Sequence, residues 1–232
     1  MDQSRRQARL ERNRAQQRRG QLRWLVYISI AAVAVVGLLI LSNMVRSASI
    51  REYASAQTGA LLGDPDAPVT LIEYADFQCS FCRQSWATTE EAIVKQYVDT
   101  GQINYQFVIL AILGPESVQA TEAAYCAAEQ NKFWEFHDAV FGSFSSQNSG
   151  GYSDSNLADF AQAAGLDMNA YNECVASDVK LQAVEQAALD ARAIGVDSTP
   201  TFQINDQIVA GAQPLSMLQS MIEDALAAVG AD

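Results

Sequence analysis

A chain of 232 residues, 49% hydrophobic with a formal net charge of −12, can bury the core of one ordinary domain. The charge is unevenly placed: residues 1–46 hold nine arginines against Asp2 and Glu11, so the remainder carries −19. That balance excludes general electrostatic binding of nucleic acid or an anionic surface by the acidic part.

Residues 1–23 form a basic tail, with Arg5, Arg6, Arg9, Arg12, Arg14, Arg18, Arg19 and Arg23. Trp24 to Val45 has no charged residue; at about 1.5 Å per residue it reaches roughly 33 Å, enough for a bilayer core of about 30 Å. The positive-inside rule then puts the tail in the cytoplasm and everything after Arg46 outside the cell membrane. A cleaved signal peptide is the competing reading, with small residues at Ser47-Ala48-Ser49. The apolar run exceeds the usual h-region of about 7–15 residues, so a retained single-pass anchor over 24–45 is expected.

Residues 46–63 read as a tether with one helical turn near Tyr53, and Asp64-Pro65-Asp66-Ala67-Pro68 as a rigid turn opening a domain over 64–232. Val69 to Ala75 reads as a nearly continuous buried strand. Ser85 to Val98 has helical spacing, with Trp86, Ile93, Val94 and Tyr97 on one side. Between them stands Cys79-Ser80-Phe81-Cys82. A C-x-x-C motif alone fits zinc sites and core cysteines equally well. At a strand-to-helix junction it is a redox device: the first sulfur meets the unpaired N–H groups and dipole of a helix start, which stabilise a thiolate. Zinc would need four ligands, and His137 is the only histidine.

Ile103 to Leu110 reads as a second strand. Helical stretches follow at Ser117–Gln130, Phe133–Phe144, Asn156–Ala164 and Met168–Val175, an insertion over about 115–178. Lys180 to Ile194 is a further helix, with Leu181, Val184, Ala188 and Ala191 on one face. Thr201–Ile204 and Gln207–Ala210 read as a hairpin around Asn205-Asp206. Pro214 opens a last amphipathic helix with Leu215, Leu218, Met221, Ile222, Leu226 and Val229 inward. His137, among Phe133, Trp134, Phe136 and Phe141, reads as core, and so does Trp86, unless it borders a groove. The order is that of a thioredoxin-like α/β fold with a helical insertion, preceded by one transmembrane helix.

Three separated blocks carry a resemblance. They are Leu62 to Val69 with Asp76-Phe77-Gln78-Cys79-Ser80-Phe81-Cys82, then Cys126 to Gln130 running into Phe133 to Asp138, then Gly195 to Phe202. In these the chain resembles the DsbA-like thiol–disulfide oxidoreductases, over roughly Gly59 to the C-terminus, in their membrane-anchored bacterial branch. Ser80 stands where that branch usually has proline. No histidine lies between the cysteines, as it does in the strongest oxidants of the family.

The resemblance implies roles for individual residues. Cys79 is the nucleophile and Cys82 the resolving thiol. Glu73 is a buried acid beneath Cys82 that takes and returns its proton. Thr199 and Pro200 form a cis-proline loop facing the cysteines, whose backbone pairs with extended substrate. Cys126 and Cys174 form a structural disulfide. The expected activity is oxidation of secreted proteins that carry free thiols, with no metal or organic cofactor. A membrane redox partner of DsbB type or vitamin K epoxide reductase-like type would restore the disulfide. A reductase or isomerase of the same fold, or a non-enzymatic metal carrier or interaction module, are the alternatives.

Overall fold

The protein is described by a computed structural model that covers residues 60–143, 145–177 and 180–230. The expected tail, anchor and most of the tether lie outside the described residues. Among those described, no helix is long and apolar enough to cross a membrane.

A five-stranded sheet runs in the order β1-β3-β2-β4-β5. Its strands are β1 (Leu61–Leu62), β2 (Val69–Ala75), β3 (Ile103–Ile109), β4 (Thr201–Ile204) and β5 (Gln207–Ala210). β2 and β3 are parallel and the other pairs antiparallel. β2 is central, with Glu73 opposite Phe107 on one side and Phe202 on the other. Every residue of β3 is buried, as expected of a parallel strand covered on both faces.

β1 corrects the sequence reading, which had this segment as tether. Leu61 pairs with Gln106 and Leu62 with Tyr105, the Phe107 N–H donates to the Ala60 carbonyl at 2.9 Å, and Trp134 Nε1 to that of Leu61 at 3.3 Å. Two residues are too few for a periodic signal. Gly63 closes the strand at φ +93, where a Cβ would stand 2.6 Å from Val98 Cγ1.

After β2 the chain is helical from 80 to 98. It begins as α1 (Ser80–Ser85) and passes through a π-helical segment (Trp86–Glu90), α2 (Glu91–Ile93) and a second π-helical segment (Val94–Val98). The register widens where Thr88 and Thr89 hydroxyls occupy the carbonyls of Gln84 and Ser85 four residues back. The remaining helices are α3 (Pro115–Glu129), α4 (Phe133–Gly142), α5 (Asp154–Ala163), α6 (Met168–Ala176), α7 (Leu181–Ala193) and α8 (Leu215–Val229).

Two helical faces differ from expectation. On α7 the buried residues are Val184, Ala187 and Ala191, while Leu181 is exposed. On α8 they are Leu218, Met221, Ile222 and Ala225, and Val229 is exposed. In both, the outermost hydrophobic of the expected face, the first residue of α7 and the last of α8, stays open to solvent.

Cys126 on α3 and Cys174 on α6 are joined by a disulfide across 48 residues. Replacing both with alanine should cost about 2–4 kcal/mol, lowering the melting temperature by roughly 5–15 °C. Thiol-exchange rates should change little, because the bridge ties helices of the insertion and not the Cys79 turn. Calorimetry beside an exchange assay checks this; a lost exchange activity with an unchanged melting point would refute it.

Candidate active site

The turn that presents Cys79 is built on Asp76. Its fully buried carboxylate accepts from the Gln78 N–H (2.8 Å), the Ser117 hydroxyl (2.7 Å) and the N–H groups of Ile112 and Leu113 (2.9 and 3.0 Å). Burial pushes its pKa up and those four donors oppose the rise. The Asp76 carbonyl takes the Cys79 N–H at 2.9 Å, and Tyr152 donates to the Phe77 carbonyl at 3.0 Å. Gln78 reaches the other way: its amide donates to Ser117 and Asn148 and accepts from the Asn148 N–H. None of these supports was among the predicted site residues. A buried acid directly after a strand end was the available signal.

Cys79 is the N-cap of α1, with extended backbone at φ −80, ψ 117. Its sulfur accepts the Cys82 N–H at 3.3 Å and lies 3.3 Å from the Thr199 carbonyl. Both cysteines are free thiols here; Cys79 keeps 6% of its surface exposed and Cys82 none. The Cys82 side chain, then that of Thr199 and the N–H groups of Cys82 and Phe81, overcome burial and lower the Cys79 pKa to about 6. Burial, and then Cys79 and the charge of Glu73, push Cys82 well above the usual thiol range. The two sulfurs are therefore strongly unequal. The Thr199–Pro200 bond beside them is cis. Phe81, 60% exposed, stands between the cysteines as an apolar side chain open to solvent.

Glu73 is 2% exposed on the central strand and does not face solvent. Burial raises its pKa to about 8; a hydrogen bond from the Tyr105 hydroxyl to Oε2 opposes the rise and the Cys79 charge adds to it. Tyr105 is thus a functional neighbour that the sequence reading did not single out within the second strand. It is fully enclosed, and its acidity is suppressed first by burial and then by Glu73 and Glu90.

His137 is fully buried, as expected of core, against Phe77, Phe107, Phe133, Trp134 and Phe141. Trp86 is half-buried, stacks on Phe141 and donates to Asp138 at 3.0 Å. Among the described residues, Glu90, His137 and Asp138 bring three donor atoms within 4.8 Å. Asp138 lies at Nδ1 of the ring (3.0 Å) and Glu90 at Nε2 (3.7 Å), so the donors diverge around the imidazole and do not enclose an ion.

The family profile described as Thioredoxin matches residues 55–224. The chain belongs to the thioredoxin family. Within it, the resemblance to DsbA-like oxidoreductases drawn from the motifs holds in the comparisons. Over 120 residues the chain is 30% identical to the probable disulfide bond formation protein D of Bacillus anthracis, covering 50% of this chain and 55% of that one. The oxidised BdbD structure from Bacillus subtilis superposes with a TM-score of 0.69 at 23% identity, covering 74% of this chain and 94% of that chain, and shows the shared fold. A match of 30% identity over 167 residues, 71% of this chain, is made with Na(+)/H(+) antiporter NhaA 3 of Salinispora tropica. The chain spans about a quarter (24%) of that protein's length.

Proposed function

We propose that this protein is a membrane-anchored, extracytoplasmic thiol–disulfide oxidoreductase that introduces disulfides into secreted proteins. The observation that carries the reading is the inequality of Cys79 and Cys82 above a buried carboxyl. The basic tail and uncharged stretch of the first 45 residues support the anchoring.

In the oxidising direction a substrate thiolate attacks Cys79 of the Cys79–Cys82 disulfide. That bond breaks, Cys82 leaves with the electron pair, and the Glu73 carboxyl supplies its proton. A second substrate thiolate then attacks the substrate sulfur of the mixed disulfide. Cys79 departs as the thiolate its surroundings stabilise, and two electrons have moved from substrate to protein. In the return half-reaction Cys79 attacks the disulfide of a membrane partner, of DsbB type or vitamin K epoxide reductase-like type. Cys82 gives its proton to Glu73, attacks Cys79 and expels the partner's thiolate. Thr199 and Pro200 border this exchange and offer backbone to an extended substrate. No step needs a metal or organic cofactor.

A stabilised Cys79 thiolate favours the reduced protein and hence an oxidising potential. Equilibration with glutathione buffers should therefore give a value well above the about −270 mV of thioredoxin, toward the about −120 mV of the strongest oxidants. A potential at or below that of thioredoxin would make the protein a reductase.

A further inference from the structure

Glu73 is ionised when Cys82 leaves and must be ionised again when Cys82 hands its proton back, yet with a pKa of about 8 it takes up a proton in between, and it is sealed from water. It needs a way to equilibrate. Two atoms near it have no hydrogen-bond partner although both are buried: Glu90 Oε2 and His137 Nε2. They face each other at 3.7 Å. On the far side of the ring, Nδ1 lies 3.0 Å from Asp138 Oδ1, and Asp138 is exposed, with Trp86 Nε1 fixing the same oxygen.

We propose that Glu90, His137 and Asp138 form a proton path by which the sealed carboxyl of Glu73 exchanges with solvent between half-reactions. The inference rests on the oxidoreductase reading above and names further residues for it.

Outward transfer moves the Glu90 carboxyl proton to Nε2 while the Nδ1 proton passes to Asp138 and on to water. This leaves Glu90 ionised and the imidazole neutral with its proton on Nε2. Inward transfer is the reverse: Asp138 protonates Nδ1 and Nε2 returns its proton to Glu90. The two half-reactions need opposite transfers, so the ring regains its tautomer without rotating. Tyr105 is the relay at the inner end: on the way in, Glu90 gives its proton to the Tyr105 oxygen as the Tyr105 hydroxyl gives its own to Glu73 Oε2, to which it already donates, and the way out is the reverse. The charges of both carboxyls act on this hydroxyl. The ionisable groups acting on Glu90 are Glu73, Asp138, Tyr105 and His137, which come from β2, α4 and β3. Burial first, then the charges of Glu73 and Asp138, keeps Glu90 protonated far above the usual carboxylate range, and burial keeps the imidazole neutral. Those are the resting states the path requires. A metal site is the weaker reading, because the donors diverge around the ring.

The chain has one histidine, so its ring nitrogens give unambiguous 15N NMR signals. In the full-length protein the resting ring should be protonated at Nδ1 and bare at Nε2. The Nε2 signal should shift between the oxidised and reduced forms and again in Glu90→Gln. In stopped-flow single turnovers, Glu90→Gln should slow Cys82 resolution on the order of a hundredfold and displace its pH profile. The rate of Cys79 alkylation should stay unchanged. Asp138→Asn, an exposed position that does not threaten folding, should slow resolution in the same sense. Redox-independent His137 signals with wild-type resolution rates in both variants would overturn the path. So would stoichiometric Zn2+ that moves the His137 signals of the EDTA-treated protein. If the unmodified protein shows no thiol exchange at all, it is the proposed function that fails.

Discussion

Alanine at Cys82 should turn the protein into a trap: the Cys79 thiolate attacks a disulfide, of the membrane partner or of a model peptide, and the mixed disulfide has no Cys82 to resolve it. Alanine at Cys79 should abolish both trapping and turnover. The asymmetry follows from position: Cys79 caps the helix and keeps some exposure, whereas Cys82 is sealed one turn along. Its size can be gauged by alkylation of the reduced protein at pH 6. With its pKa lowered to about 6, Cys79 is about half thiolate there, against roughly one part in a thousand for a thiol at the ordinary 9.0. Lower basicity takes back about 20–30-fold in intrinsic nucleophilicity, leaving an advantage of roughly 20-fold. Cys82, pushed the other way, should lag further. Mass spectrometry of peptides labelled with iodoacetamide measures the ratio, and preferential labelling of Cys82 would reverse the assignment.

Glu73→Gln should slow the step in which Cys82 resolves a mixed disulfide on Cys79 on the order of a hundredfold, while the attack of the Cys79 thiolate on a disulfide changes little. The same substitution should alter stability in a pH-dependent way. The fold raises the Glu73 pKa from 4.5 to about 8, so it binds this proton more tightly than the unfolded chain does. The resulting stabilisation is complete below about pH 4.5 and is lost as pH rises through about 8. Glutamine removes that loss, and the variant should gain on the parent across this window by a few kcal/mol. In the reduced protein Cys79 runs the opposite way. Its lowered pKa contributes stability that is present above about 9 and lost as pH falls through about 6. The oxidised protein lacks that thiolate. Urea titrations of both redox forms between pH 5 and 9 should show the oxidised form losing stability more steeply with rising pH. Unchanged resolution together with unchanged stability would remove Glu73 from the mechanism.

Local pattern reveals much of this fold. Val69 to Ala75 is legible because a covered parallel strand must be apolar, and the pattern places Cys79 at the helix start that follows. β1 is not legible: two leucines carry no period, and their role depends on β3 offering a free edge. The supports of the site escape for a related reason. Asp76 and Gln78 act through Ile112, Ser117 and Asn148, partners 36 to 70 residues away that no local spacing connects. Tyr105 escapes because an aromatic in a buried strand reads as packing until a carboxyl is found against it. For His137 the core reading was right, yet it could not show that one ring nitrogen faces Glu90.

If the chain is anchored as proposed, the early start of the sheet at Ala60 and β1 would set the length of its leash. With an anchor ending at residue 45, 14 residues (46–59) remain before the sheet, and at full stretch they reach at most about 50 Å. A domain confined to a hemisphere of that radius would meet the proposed membrane partner, whenever the anchor lies beside it, at an effective concentration on the order of millimolar. At that density even weak docking between the two suffices for rapid reoxidation. Under the proposed anchoring, the same leash would keep the Cys79–Cys82 pair near the point where a secreted chain emerges from the bilayer, and away from proteins that have already folded and diffused clear.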